Sequence, residues 1–111
     1  MEKKDLLKDV VEHIDIKKYD STELINAMRK MSFTSRDTAR AADILCQMIA
    51  EKDCTNILTI AGSTSAAGCM QVYVEMVRNK MVDAVVSTGA SIIDMDLFEA
   101  LGYKHYIGTK E

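Results

Sequence analysis

The stretch Asn56-Ile57-Leu58-Thr59-Ile60-Ala61-Gly62-Ser63-Thr64-Ser65-Ala66-Ala67-Gly68 decides the fold. Its first six residues are short, rich in branched apolar side chains and closed by a glycine, the composition of a strand. Gly62 to Ser65 then reads as a loop of small polar residues. From Ala66 the residues Ala67, Met70, Val74, Val77 and Met81 recur at helical spacing, which predicts a helix running to Asn79 or Lys80. A second strand, Val82-Asp83-Ala84-Val85-Val86-Ser87, begins about 25 residues after the first, the length of a right-handed βαβ crossover with parallel strands. Thr88-Gly89-Ala90-Ser91 closes it, and Ile92, Ile93, Leu97, Phe98 and Leu101 predict a further helix ahead of a tail that carries His105.

Upstream the pattern is helical. Leu6, Leu7, Val10, Val11 and Ile14 mark a short amphipathic helix over residues 4–14. Asp20 and Glu23 resemble a capping pair ahead of a stripe of Leu24, Ile25, Met28 and Met31. Thr34 and Asp37 open a third helix, with an apolar face of Thr38, Ala41, Ala42, Leu45, Met48 and Ile49. The order is therefore three helices followed by β-α-β-α. Both strands are apolar on both faces, as in the interior of a parallel sheet. Two strands alone make a marginal ribbon with two open edges. Further strands are expected from another copy, another chain or a continuation of this one.

With 111 residues, the chain is one domain at most. Its 48% hydrophobic and 28% charged residues are those of an ordinary soluble globular protein. A net charge of -3 supplies no basic surplus for nucleic acid or anionic lipid. No apolar run approaches the ~20 residues of a membrane span. The start, MEKKDLLKDVVEHIDIKK, is neither a signal nor a transit peptide, so a cytoplasmic protein is expected. Cys46, Cys54 and Cys69 lack a CxxC spacing and are expected to be free thiols.

The chemistry concentrates at the ends of the two strands. Gly62 to Gly68, GSTSAAG, lies where a strand gives way to a helix, a place suited to an anion. It is not a Walker A loop, because Cys69 stands where the lysine would be, and it does not match G-x-G-x-x-G. A small-residue turn that merely lets helix and strand pack closely is the competing reading. Ser87-Thr88-Gly89-Ala90-Ser91 leaves the same sheet edge, where open α/β sheets bind ligands. Asp94 follows, placed either to accept hydrogen bonds from a ribose or, with Asp96, to cap a helix. His13 and His105 lie too far apart in sequence to suggest a metal site, and Cys69 reads as a small buried thiol. No metal site is expected.

Met31-Ser32-Phe33, Arg40-Ala41-Ala42-Asp43-Ile44, LTIAGSTSAAG (58–68), NKMVDAVVSTGAS (79–91) and EALGYKHYIG (99–108) together resemble the N-terminal part of the deoxyhypusine synthase family. More narrowly, the chain resembles the deoxyhypusine synthase-like branch of bacteria and archaea, some members of which form homospermidine. The resemblance covers nearly the whole chain, in order, but only about the first third of a full-length member, and MVDAVVSTGA is its most specific piece. It implies a Rossmann-like parallel sheet, NAD as cofactor and a homotetramer with active sites between paired subunits. The implied reaction oxidises spermidine, passes its aminobutyl group through an enzyme lysine and delivers it to a protein lysine or to putrescine.

Carried onto this sequence, the first NAD-contacting turn falls on Gly62 and Ser63, and the second on Thr88, Gly89 and Ala90. The acidic residue beyond it falls on Asp94, and Gly68 matches a family glycine. The departures at Gly62, Ser63 and Asp94 point away from a hypusine-forming synthase and towards the synthase-like branch. The family's nucleophilic lysine and spermidine-binding acids have no counterpart here, so no catalytic residue is assigned. The organisation expected is one partial domain, with a helical region at 1–53 and a βαβ NAD-binding portion at 54–111. Expected partners are further copies or a complementing C-terminal chain, with spermidine bound in the complete enzyme. The alternative is a non-catalytic subunit that co-assembles with a full-length homologue and regulates it. A decayed gene product that never folds is a third possibility.

Overall fold

The computed structural model describes residues 2–108; the last three residues of the expected 54–111 portion lie outside them. The helix expected over 4–14 is reduced to α1, Lys3–Leu6. Residues 9–11 pair instead with the far end of the described chain. Val10 bridges Tyr106 in antiparallel fashion, the Val11 N–H donates to the His105 carbonyl at 2.9 Å, and the Ile107 N–H donates to the Asp9 carbonyl at 2.8 Å. Leu6, Leu7, Val10 and Ile14 remain exposed, so the stripe has no surface to bury and cross-chain pairing satisfies the backbone in its place.

A 3-10 turn at Ile16–Lys18 leads into α2, Thr22–Met28. Asp20 accepts the Thr22 N–H at 2.9 Å in a local turn outside the helix, so it does not form the expected capping pair with Glu23. Met31 falls beyond α2 and is exposed. The longest helix, α3, spans Phe33–Ala50. It buries Ala39 and half-buries Ala42 and Met48, while Thr38, Ala41, Leu45 and Ile49 of the expected face stay exposed.

Asn56 ties α3 to the sheet. It is 7% exposed; its side-chain amide donates to the Met48 carbonyl at 3.3 Å and its N–H to Asp83 Oδ2 at 2.7 Å, while its carbonyl accepts the Asp83 N–H at 2.8 Å. The two strands follow from this anchor. β1, Ile57–Ile60, pairs in parallel with β2, Ala84–Ser87, in the register Ile57↔Ala84, Leu58↔Val85, Thr59↔Val86 and Ile60↔Ser87. Each is shorter than its six-residue prediction, because Asp83 caps Asn56 instead of extending the ladder.

Between the strands a wide helical turn, Ser65–Cys69, is broken by Gly68 at φ 107° before α4, Met70–Arg78, begins. α4 closes with the Met81 N–H donating to the Met76 carbonyl and the Lys80 N–H to the Val77 carbonyl, with Lys80 in the left-handed region at φ 55°. After β2, α5 (Gly89–Ser91), a wide turn at Ile92–Leu97 and α6 (Phe98–Ala100) run on without interruption.

The described residues thus form an α/β arrangement of helices around a two-stranded parallel sheet. The expected burial of both strands is not met within the chain. Ile57, Val85 and Val86 are 57%, 45% and 59% exposed, and only Ala39 and Met95 are buried apolar residues among those described. The accessible surface is 8791 Å², against about 6,100 Å² for a folded monomer of this mass. The radius of gyration is 17.1 Å, where about 13 Å is usual for this length. Among the described residues no helix is long and apolar enough to cross a membrane.

Candidate functional site

The parallel register brings the carboxyl ends of β1 and β2 side by side, so the Gly62–Gly68 segment and the Thr88–Ser91 segment emerge together. The Thr88 N–H donates to the Ile60 carbonyl at 3.2 Å, extending the ladder one step into the second turn. Ser91 joins the turns directly: its hydroxyl donates to the Gly62 carbonyl at 2.9 Å and lies 3.4 Å from Thr88 Oγ1. Ser91 is 1% exposed. Its position in the motif made it legible as a small residue, but only the tertiary pairing of the two loops reveals its role as their seam.

Gly62, Ser63, Thr88, Gly89, Ala90 and Asp94 are all exposed at or just beyond this edge. Gly62 has φ 79°, and a Cβ added at Gly62 or Gly89 would meet nothing within 4 Å. Space for another molecule therefore adjoins both turns. Among the described residues the N–H groups of Gly62, Ser63 and Thr64 have no hydrogen-bond acceptor, whereas those of Ala67 and Cys69 turn inward to the Ser63 and Thr64 carbonyls. Such unpaired donors, with the hydroxyls of Ser63 and Thr88, are the groups that hold phosphate oxygens. Thr64 is fixed from the helix by the Tyr73 hydroxyl at 2.7 Å. Asp94 lies in the first turn of Ile92–Leu97, and among the described residues its carboxylate makes no hydrogen bond, which leaves it able to accept from hydroxyls.

Gly68 serves the same loop from behind. The N-terminal segment crosses it closely: the Ile14 N–H donates to the Gly68 carbonyl at 2.9 Å, and a Cβ on Gly68 would stand 3.0 Å from the Glu12 carbonyl oxygen. Ser65 beside it is fully buried with an unpartnered hydroxyl.

Two polar clusters escaped the sequence because their members are far apart along it. Glu75, 4% exposed, binds Lys17 at 3.1 Å and Arg78 at 3.3 Å, and accepts from Gln71 and Asn79. The Lys17 ammonium foremost, then Arg78 and Asn79, hold its carboxyl below the usual glutamate range, against a burial that works the other way. His13 and His105, expected to be unrelated, converge on Glu99: His13 Nε2 lies 2.7 Å from one carboxylate oxygen and His105 Nε2 3.7 Å from the other. No group suited to a metal ion occurs among the described residues. Cys46, Cys54 and Cys69 are free; Cys69 is half-buried where a buried thiol was expected. Every lysine among the described residues is exposed, so none sits in the desolvated environment that imine chemistry requires.

On the hydrophobic side, β1, β2 and α4 leave an open groove of about 400 Å³ lined by Ile60, Met70, Tyr73, Val74, Val77 and Val85, with Arg78 and Asp96 also in its wall.

A family model described as deoxyhypusine synthase matches residues 23–111. A deoxyhypusine synthase-like protein of Caulobacter vibrioides is 64% identical over 105 residues, covering 95% of this chain and 29% of that protein. Another from Coxiella burnetii is 56% identical over 107 residues, covering 96% and 30%. The probable deoxyhypusine synthase 2 of Methanosarcina mazei is 36% identical over 96 residues, covering 86% and 28%. The chain therefore spans about 30% of the length of these curated relatives. No solved structure matches it.

Proposed function

The chain belongs to the deoxyhypusine synthase family, and from that premise we propose that it is the N-terminal, NAD-contacting portion of an aminobutyl transferase of that type. Spermidine is the donor in this reading, and a protein lysine or putrescine the acceptor. The observation that carries it is the pairing of two exposed, small-residue turns at adjacent carboxyl ends of a parallel sheet.

The residues present fit a dinucleotide. Gly62 and Gly89 leave room for close approach, the N–H groups of Gly62 to Thr64 and the hydroxyls of Ser63 and Thr88 offer donors to pyrophosphate, and Asp94 offers a carboxylate to ribose hydroxyls. Ala90, exposed beside Gly89, completes the second turn. When bound, NAD supplies the hydride acceptor for amine oxidation. This chain's own part is to hold and orient the dinucleotide. The nucleophilic lysine comes from elsewhere, consistent with the exposure of every lysine described here.

That second component is a continuation of this chain or a complementing chain that carries the C-terminal part, with further copies joining the assembly. It extends the two-stranded unit towards a Rossmann-like sheet and covers the groove lined by Ile60, Val74 and Val85. The open sheet also favours a second reading, a non-catalytic subunit that co-assembles with a full-length homologue.

Native mass spectrometry of the tagged chain from its own cells, followed by NAD titration of the recovered assembly, tests the proposal. Thr88→Val and Asp94→Ala are expected to weaken NAD binding while leaving the assembly mass unchanged. NAD affinity indifferent to both substitutions refutes the cofactor-contacting role. The isolated 111 residues are expected to give no turnover with spermidine.

A further inference from the structure

We propose that Ser91 is a positioning residue that locks the Gly62–Ser63 peptide and so fixes the direction in which the Ser63 N–H is offered to ligand; the inference rests on the dinucleotide reading above. A peptide unit is planar, and in its trans form the carbonyl and the following N–H point in opposite directions. Whatever holds the Gly62 carbonyl therefore sets the direction of the Ser63 N–H. The Ser91 hydroxyl donates to that carbonyl at 2.9 Å, from a side chain that is 1% exposed. Without such a lock Gly62 is the residue at which this loop would turn over. It sits at φ 79°, it lacks a Cβ, and glycine crosses between backbone regions at little steric cost.

The lock has support from its own side. Ser91 lies at the end of α5, its N–H donates to the Thr88 carbonyl at 3.1 Å, and its hydroxyl is 3.4 Å from Thr88 Oγ1. Ser91 thereby links the orientation of the first turn to the placement of Thr88 in the second. A ligand that spans both turns, with an anionic group at Ser63 and further contacts at Thr88, meets two donors whose relative geometry is preset. The ligand class is a pyrophosphate-bearing dinucleotide.

Ser65 provides the internal control. It is as fully buried as Ser91 and belongs to the same loop, yet its hydroxyl has no partner. Ser65→Ala removes a hydroxyl that bonds nothing, whereas Ser91→Ala releases the Gly62 carbonyl.

The experiment titrates NAD into the native assembly of the wild-type chain and of Ser91→Ala, Ser91→Thr and Ser65→Ala, with the carbon-13 shift of the Gly62 carbonyl, which moves upfield when a hydrogen bond to it is lost, followed in each. Loss of one such hydrogen bond is expected to weaken NAD binding about five- to tenfold in Ser91→Ala and to move the Gly62 carbonyl signal upfield. Ser91→Thr, which retains the hydroxyl, and Ser65→Ala are expected within about twofold of wild type, a pattern that loss of buried packing alone does not produce. Should the alanine variant fail to fold, Ser91→Cys, close in size but a weak donor, carries the same expected direction. NAD affinity and the Gly62 carbonyl shift unchanged in Ser91→Ala, or Ser65→Ala equally impaired, overturns the proposal. Failure of the wild-type assembly to bind NAD removes the dinucleotide reading instead, and the Gly62 carbonyl shift then decides the lock by itself.

Discussion

Gly68 is the point at which the N-terminal segment and the candidate loop depend on one another, and alanine there should be costly for two separable reasons. Its φ of 107° lies where L residues carry strain of about 1–3 kcal/mol. The new Cβ would also stand 3.0 Å from the Glu12 carbonyl oxygen, a backbone atom that cannot swing away, and 3.8 Å from Val11 Cγ1. Moving the segment aside endangers the Ile14 N–H bond to the Gly68 carbonyl, worth about 1 kcal/mol. Gly68→Ala should therefore destabilise by about 2–4 kcal/mol. Gly62→Ala meets only the dihedral penalty at φ 79°, since its Cβ finds open space, and should lose about 1–2 kcal/mol. Gly89→Ala, at the start of α5 with open space and no positive φ, should be neutral or stabilising by up to about 1 kcal/mol. Urea titration of the three variants by circular dichroism ranks them, and exchange at the Ile14 amide localises the loss, at tenfold for every 1.4 kcal/mol. If Gly68→Ala loses no more than Gly62→Ala, the close crossing of the N-terminal segment is wrong.

Other expectations concern charge and capping. Glu75→Gln removes the carboxylate that Lys17 and Arg78 share and should lower the urea midpoint more than Lys17→Met does, because the Lys17 side chain is exposed and can return to water. Glu75 is held below its ordinary value of 4.5 by Lys17, and Asp43 below 3.8 by Arg29, so both contribute stability at neutral pH that is lost as the pH falls through their folded values. Acid titration should show unfolding beginning below about pH 4.5, shallower in Glu75→Gln; an identical profile would contradict that assignment. Lys80→Gly relieves the left-handed residue that closes α4 and should raise stability by about 1 kcal/mol in thermal melts.

Local patterning carried the parts of the fold that depend on neighbours in sequence. The two strands, the small-residue turns after them, the helix between them and the long helix from Phe33 follow from residues a few positions apart. The N-terminal helix did not survive, because its apolar stripe was real but had no surface to meet, and pairing with residues 105–107 was the better outcome for its backbone. The α3 face was misplaced for a related reason. Ala39 sits one position off the expected stripe, and α2 with its Arg29–Asp43 pair meets α3 on that side. In the site, Gly62, Ser63, Thr88, Gly89, Ala90 and Asp94 fall at one edge because parallel strands of equal length end together. What spacing could not supply was the Ser91 hydroxyl on Gly62, or the convergence of His13 and His105 on Glu99. Each joins residues whose separation carries no periodicity.

The site and the core thus have different completeness, and that difference bears on what the chain can do by itself. Everything that orients the two turns is internal: the ladder from Ile60 to Thr88, the Ser91 bond to Gly62, the Tyr73 bond to Thr64 and the backing at Gly68. Burial is not internal, since the 8791 Å² surface exceeds that of a folded monomer by roughly 2,700 Å². One side of a standard protein interface hides about 800 Å², so the excess is closer to a domain core laid open than to a docking patch. A chain so built holds the geometry of the two turns while leaving the apolar faces behind them exposed. On the proposed function, ligand binding and assembly should be strongly coupled, because covering Val85, Val86 and Ile57 would steady the strands whose ends carry Gly62 and Thr88.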